Sequence, residues 1–230
     1  MLANYVRLPF SQDSIPGALM ESVLSHVHGG SVLNTYDFVD VIRPESRCGW
    51  QVKSTKAATP VTWKRAKIPN ALELIEASEQ SEQGLQALGD AIIEFCNEHA
   101  RASMSRYDLS EIGYSRLIVR KSGQVTYFER LLCSQDAPYI FDPTEFTWRW
   151  STPKRTVTKE QLPALHGTNR KTGKKWWAWH GRGEDQLHFS GESVWWPDEN
   201  DPNAFSFQLP SADNKLSFNQ FMGLLQTLDA

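Results

Sequence analysis

Hydrophobic positions change period several times along the chain, and each change marks a candidate element. Over residues 15–28, Ile15, Leu19, Val23 and Val27 recur at helical spacing until Gly29-Gly30 stops the run. The spacing predicts one helix ending near residue 28. Residues 36–42 (YDFVDVI) and 49–54 (GWQVKS) are rich in strand formers, with the turn-forming Arg43-Pro44-Glu45-Ser46-Arg47 between them. They predict a hairpin. Residues 70–100 carry Leu72, Leu74, Ile75, Leu85, Leu88, Ile92, Ile93 and Phe95 at mixed i+3 and i+4 spacing, interrupted at Gly84 and Gly89. One long helix or two consecutive ones are expected there. Residues 114–119 and 125–132, joined by Arg120-Lys121-Ser122-Gly123-Gln124, read as a second hairpin.

The order α, β, β, α, β, β predicts a mixed α+β layer, one sheet flanked by helices, closed by about residue 135. The texture then changes, because seven of the nine tryptophans (Trp148, Trp150, Trp176, Trp177, Trp179, Trp195, Trp196) fall between residues 148 and 196, among short strands and Gly, Pro and Asn turns. Residues 136–230 are expected to form a β-rich extension ending in an amphipathic helix over 217–228, either as a separate domain or as part of the same sheet.

Composition adds exclusions. With 230 residues, 40% of them hydrophobic and 22% charged, the chain fits one or two ordinary globular domains and no disordered, collagenous or rod-like class. No apolar run approaches the length of a membrane span, and the N-terminal MLANYVRLPF lacks the pattern of a secretory signal. A cytoplasmic location and no membrane partner are expected. Cys48, Cys96 and Cys133 are odd in number and widely spaced, which suggests reduced structural thiols.

The net charge of −3 hides a segregation. Residues 43–67 hold seven Lys/Arg against one acid, and residues 149–182 hold nine against one. Between them, residues 73–98 hold seven acids and no Lys/Arg. Such a division suits a molecule with one face turned to a polyanion, although charge runs are also ordinary solvated surface.

The stretch richest in chemistry runs from Tyr36 to Thr55. Gln51 and Lys53, two apart on one strand, project from the same face. If the turn centres on Glu45, Asp37 lies opposite Lys53 on that face; if it shifts by half a residue pair, Asp40 faces Gln51 instead. Phosphodiester hydrolysis needs an acid to hold Mg²⁺ at the scissile phosphate, an activated water, and a cation near the developing negative charge. A hairpin with an acid on one strand and a polar-x-Lys on the other supplies those parts.

This arrangement resembles the PD-(D/E)xK nuclease superfamily, in the branch whose second strand reads QVK, here Gln51-Val52-Lys53. The resemblance covers roughly residues 15–67 and includes Glu21 on the preceding helix, where many members carry a further metal-side acid. It implies a restriction-endonuclease-like core with Asp37 as metal ligand, Gln51 in the usual acid position, Lys53 orienting water and stabilising the phosphate, and the Val52 carbonyl completing the Mg²⁺ shell. No proline precedes Asp37, and the neutral Gln51 lowers the charge of the metal set.

Two basic regions would then face DNA. One holds Lys56, Lys64 and Arg65; the other interleaves Lys171, Lys174, Lys175, Trp177, His180 and Arg182 with further indoles. Gln186, His188, Ser190 and Glu192 alternate with Leu187 and Phe189, presenting a polar face to base edges. The tryptophans also suit a buried core, and a base held between them is the sharper version. No zinc-ligand spacing, phosphate-binding glycine loop or serine-nucleophile elbow is present.

The expected protein is therefore a Mg²⁺-dependent endodeoxyribonuclease of restriction type, acting on double-stranded DNA as a homodimer, with residues 1–135 as catalytic core and 136–230 as recognition region. A non-catalytic nucleic-acid-binding protein and a structure-selective repair or junction nuclease are the alternatives.

Overall fold

The computed structural model describes the chain except residues 13, 58, 156–159, 190–193, 199 and 228–230, and except the side chains of 154, 155, 160, 161 and 212. Its elements fall into two compact units that interleave along the sequence. The first comprises Met1–Ala57, Gly113–Leu131 and Pro197–Ala230; the second comprises Ala58–Ile112 and Leu132–Trp196. The expected division at residue 135 does not describe this arrangement, because residues 61–65 supply a strand to one sheet and residues 204–208 return one to the other. Among the described residues, no helix is long and apolar enough to cross a membrane.

In the first unit, helix α1 (Leu2–Val6) precedes α2 (Gly17–His28). Helix α2 ends where sequence reading places the end, because Gly29 takes the left-handed conformation at φ 66° and its N–H bonds the Ser25 carbonyl. Its buried stripe is Met20 and Leu24, while Val27 of the expected stripe is exposed. Strands β1 (Ser31–Val32), β2 (Val41–Arg43) and β3 (Cys48–Lys56) follow, then β5 (Glu111–Val119), β6 (Gln124–Ser134) and β13 (Ala204–Gln208), in the sheet order β1-β2-β3-β5-β6-β13.

One face of this sheet is apolar. Val41, Val52, Leu117, Val119 and Val125 pack with Ile15, Met20 and Leu24, so α2 covers that face. Full burial of a side chain such as Leu24 contributes about 1.5–3 kcal/mol. Because side chains alternate, packing Val52 against α2 turns Gln51 and Lys53 to the opposite face. At the C-terminus, α5 (Phe218–Gln226) opens with a capping box between Ser217 and Gln220. The expected end of that helix at Leu228 lies outside the described residues.

In the second unit, α3 (Ala71–Gln80) and α4 (Glu82–Arg106) are separated at Ser81, whose hydroxyl caps α4 by accepting from Gly84 N–H at 3.0 Å. A five-stranded antiparallel sheet runs β4 (Val61–Arg65), β12 (Gln186–Phe189), β11 (Lys175–Trp179), β10 (Leu165–Asn169) and β7 (Phe146–Trp150). The short strands β8 (Lys154–Arg155) and β9 (Glu160–Gln161) form a separate ribbon. Trp63, Phe141, Phe146, Trp177 and Phe189 pack largely edge to face, with ring centroids about 5–6 Å apart. Much of the tryptophan-rich texture is therefore core.

Candidate active site

The ladder of β2 on β3 pairs Val41 with Trp50, Ile42 with Gly49 and Arg43 with Cys48. The turn centres between Glu45 and Ser46, and extending the register by one pair sets Asp40 opposite Gln51. The strand expected from Tyr36 begins only at Val41, and Asp37 lies in a bend with its N–H 3.4 Å from Thr35 Oγ1. The acid brought to Lys53 is Asp40 rather than Asp37, and the reason is this half-pair shift of register.

Asp40 is fixed on three sides. Its N–H donates to the Trp50 carbonyl at 2.8 Å, and its carbonyl accepts from Leu33 N–H at 2.8 Å. Its Oδ2 accepts from Val52 N–H at 2.7 Å, standing in for main chain where the two strands part. The same oxygen lies 3.7 Å from Lys53 Nζ, with both side chains largely buried.

Glu21 on α2 shares this electrostatic environment. Its carboxyl is held above the ordinary carboxylate range, first by burial and then by repulsion from Asp40, while Lys53 pulls it down. Gln51 is 2% exposed, and its Oε1 has no hydrogen-bond partner among the described residues. Leaving a buried acceptor unsatisfied costs about 1–3 kcal/mol. Asp40 and Lys53 are thus in contact, with Glu21 of α2 within electrostatic range of both and Gln51 on the same face of β3 as Lys53.

Arg116 was not singled out from sequence. It sits on β5, the neighbour of β3, fully buried, with Nη2 3.3 Å from Thr55 Oγ1. Burial pushes its pKa down and pushes Tyr114 up to about 12. The signal was a lone cation within the buried run YSRLIV.

The expected DNA contacts divide. Lys56, Arg65, Lys171, Lys174 and Lys175 are exposed, whereas Lys64 is half-buried and its charge bears on the buried Cys96 thiol, which burial raises to about 12. Arg65 pairs with Gln186 across β4 and β12. His180 and His188 lie with ring centroids 4.9 Å apart. Arg182 is bound to Glu79 of the acidic segment and lies over the Trp150 ring at 4.5 Å. Trp177 is fully buried, so it cannot stack on a base: the strand alternation turns it inward against Trp63 and Phe189. Ser190 and Glu192 lie outside the described residues.

Comparison with protein-family models, with curated proteins and with solved structures finds no match to this chain.

Proposed function

We propose that this chain is a Mg²⁺-dependent endodeoxyribonuclease, of sequence-specific restriction type, that hydrolyses phosphodiester bonds of double-stranded DNA. The observation that carries the reading is the convergence of Asp40, Lys53 and Glu21 on a strand pair whose buried Gln51 Oε1 lacks a partner among the described residues.

The donor set suits a hard divalent cation. Asp40, Glu21, Gln51 and the Val52 carbonyl offer only oxygen, two acids share the site, and an orphaned amide oxygen faces the cost of burial unless a ligand meets it. Among the described residues no cluster of three or more His, Cys, Asp or Glu occurs, so the set is low in charge and the DNA phosphate would share in holding the ion. When bound, Mg²⁺ supplies positive charge against the negative charge that builds on the phosphoryl oxygens. Lys53, held by Asp40, sets an ammonium at the same place, where a preorganised cation stabilises the transition state most. Asp40, itself anchored by Val52 N–H, keeps that lysine oriented.

The exposed cations Arg65, Lys171, Lys174 and Lys175 support the choice of a polyanion as substrate. One such site per chain cuts one strand, so cleavage of both strands calls for two copies related by a two-fold axis. The test is incubation of unmodified and cytosine-methylated plasmid with Mg²⁺ and with EDTA. Discrete fragments formed only with Mg²⁺ support the reading; intact plasmid of both kinds, with DNA still bound, replaces it with a non-catalytic nucleic-acid-binding protein.

A further inference from the structure

The open face of the five-stranded sheet carries a groove of about 350 Å³ within the second unit, lined among others by His166, Lys175, Trp176, Ala178, His180 and His188. Its shape follows from the ladder. Ala178 on β11 pairs with His166 on β10 and with His188 on β12, so the smallest side chain stands between two imidazoles two strand spacings apart, about 10 Å. The row continues outward to Arg149 beyond His166 and to Thr62 beyond His188. A β-bulge between Gly167 and Thr168, where Thr168 pairs with Lys175 and Gly167 with Trp177, leaves Trp176 as the extra residue.

Hydrogen bonds hold the polar wall in one state. Gln186 Nε2 donates to Glu184 Oε2 at 2.8 Å, which turns Gln186 Oε1 toward His188 Nε2, also at 2.8 Å. An amide oxygen accepts only, so His188 carries its proton on Nε2 and keeps Nδ1 as an acceptor when neutral. Burial, with lesser effects of neighbouring charges, holds both His180 and His188 below the ordinary histidine value. The floor is thus made of imidazole and indole rings, with Lys175 in the lining and Arg149 next in the row beyond His166.

A slot floored by ring donors and acceptors and edged by cations complements a flat heteroaromatic ring that carries a phosphate. Its volume lies at the small end of the range for ligand sites. We infer that this groove, centred on Ala178 between His166 and His188, is a binding site for one nucleobase with its attached phosphate. The base would come either from a free nucleotide or from a DNA strand that extrudes it. This goes beyond the proposed cleavage site, involves none of its residues, and stands or falls separately.

The test uses the full chain carrying Lys53→Ala, so that DNA is not cut. The four deoxynucleoside monophosphates are titrated by calorimetry, and a duplex with a central 2-aminopurine is titrated by fluorescence. Ala178→Leu, which fills the slot from an exposed sheet face, and His188→Ala are made in the same background and checked for unchanged melting. Saturable mononucleotide binding, weakened at least tenfold by both changes, is the result expected for free nucleotides; an enhanced 2-aminopurine signal lost in both variants identifies the extruded base. Absence of both signals, or signals indifferent to Ala178→Leu, overturns the inference even if the unsubstituted chain cleaves plasmid. Binding with these sensitivities supports it even if no cleavage occurs.

Discussion

Lys53 Nζ lies 3.7 Å from Asp40 Oδ2, and the same carboxylate oxygen accepts the Val52 N–H at 2.7 Å. One side chain thus ties the strand backbone and orients the lysine on it. An ion pair held in this way differs from an exposed one, whose contribution is at most about 1 kcal/mol. Its consequence is geometric: the lysine cannot leave without freeing a largely buried acid.

The register separates two neighbouring acids experimentally. Asp40→Asn is expected to lower Mg²⁺-dependent cleavage at least about 100-fold, the scale of losing a preorganised electrostatic group. Asp37→Asn, in the bend before the strand, is expected to lower it less than about tenfold on the same scale. Initial rates on supercoiled plasmid decide between them, and the reverse order would show that the strand pairs differently when DNA is bound.

Glu21 gives a pH signature. Its carboxyl is raised in the folded chain, so the unfolded chain ionises first as pH rises. Below the ordinary carboxylate value Glu21 imposes no penalty; between that value and its folded one stability falls, and above both the loss is complete. Glu21→Gln removes the ionisation and the repulsion with Asp40. Its Tm relative to the unsubstituted chain should climb over the interval that opens at about pH 4, measured without metal. A difference that shrinks over this interval would contradict the assignment.

The tryptophans divide by burial. Trp177→Ala is expected to cost about 3–5 kcal/mol of stability, as a large core deletion does. Lys175→Ala should leave Tm nearly unchanged but weaken DNA binding and lower the salt dependence of log K by about one unit. Denaturant melts and binding titrations at several salt concentrations separate the two effects. A Trp177 variant that folds normally and loses only DNA binding would overturn the core role.

A close packing point ties α4 to β7. A Cβ on Gly89 would lie 2.0 Å from Trp148 Nε1, inside the indole ring system. Gly89→Ala should therefore destabilise by about 1–3 kcal/mol, although alanine is the better helix former. A rise in Tm would show that the indole moves aside freely.

Local pattern carried much of the fold. Gly29 ending α2 and the hairpin over β5 and β6 were visible because each depends on residues close in sequence. The helical run, by contrast, breaks at Ser81 and not at the expected Gly84 or Gly89, both of which lie inside α4. What pattern could not show was which sheet each strand joins. Val61–Arg65 reads as part of a basic run, yet it forms an edge of the second sheet because Val61 and Trp63 face its aromatic core. Likewise, Ala204–Gln208 joins β6 across a long stretch of chain. At the site, Gln51 and Lys53 were legible from their spacing, whereas the choice of Asp40 needed the register, which a half-pair shift of the turn decides.

The central claim is that Lys53 and its bound carboxylate do chemistry on DNA, and the most direct measurement compares the unsubstituted chain with Lys53→Ala. Plasmid cleavage is followed with Mg²⁺ and with EDTA, alongside DNA binding by the same samples. The account expects Mg²⁺-dependent fragments from the unsubstituted chain, and none from the variant while it still binds DNA. Cleavage that persists in Lys53→Ala would contradict it.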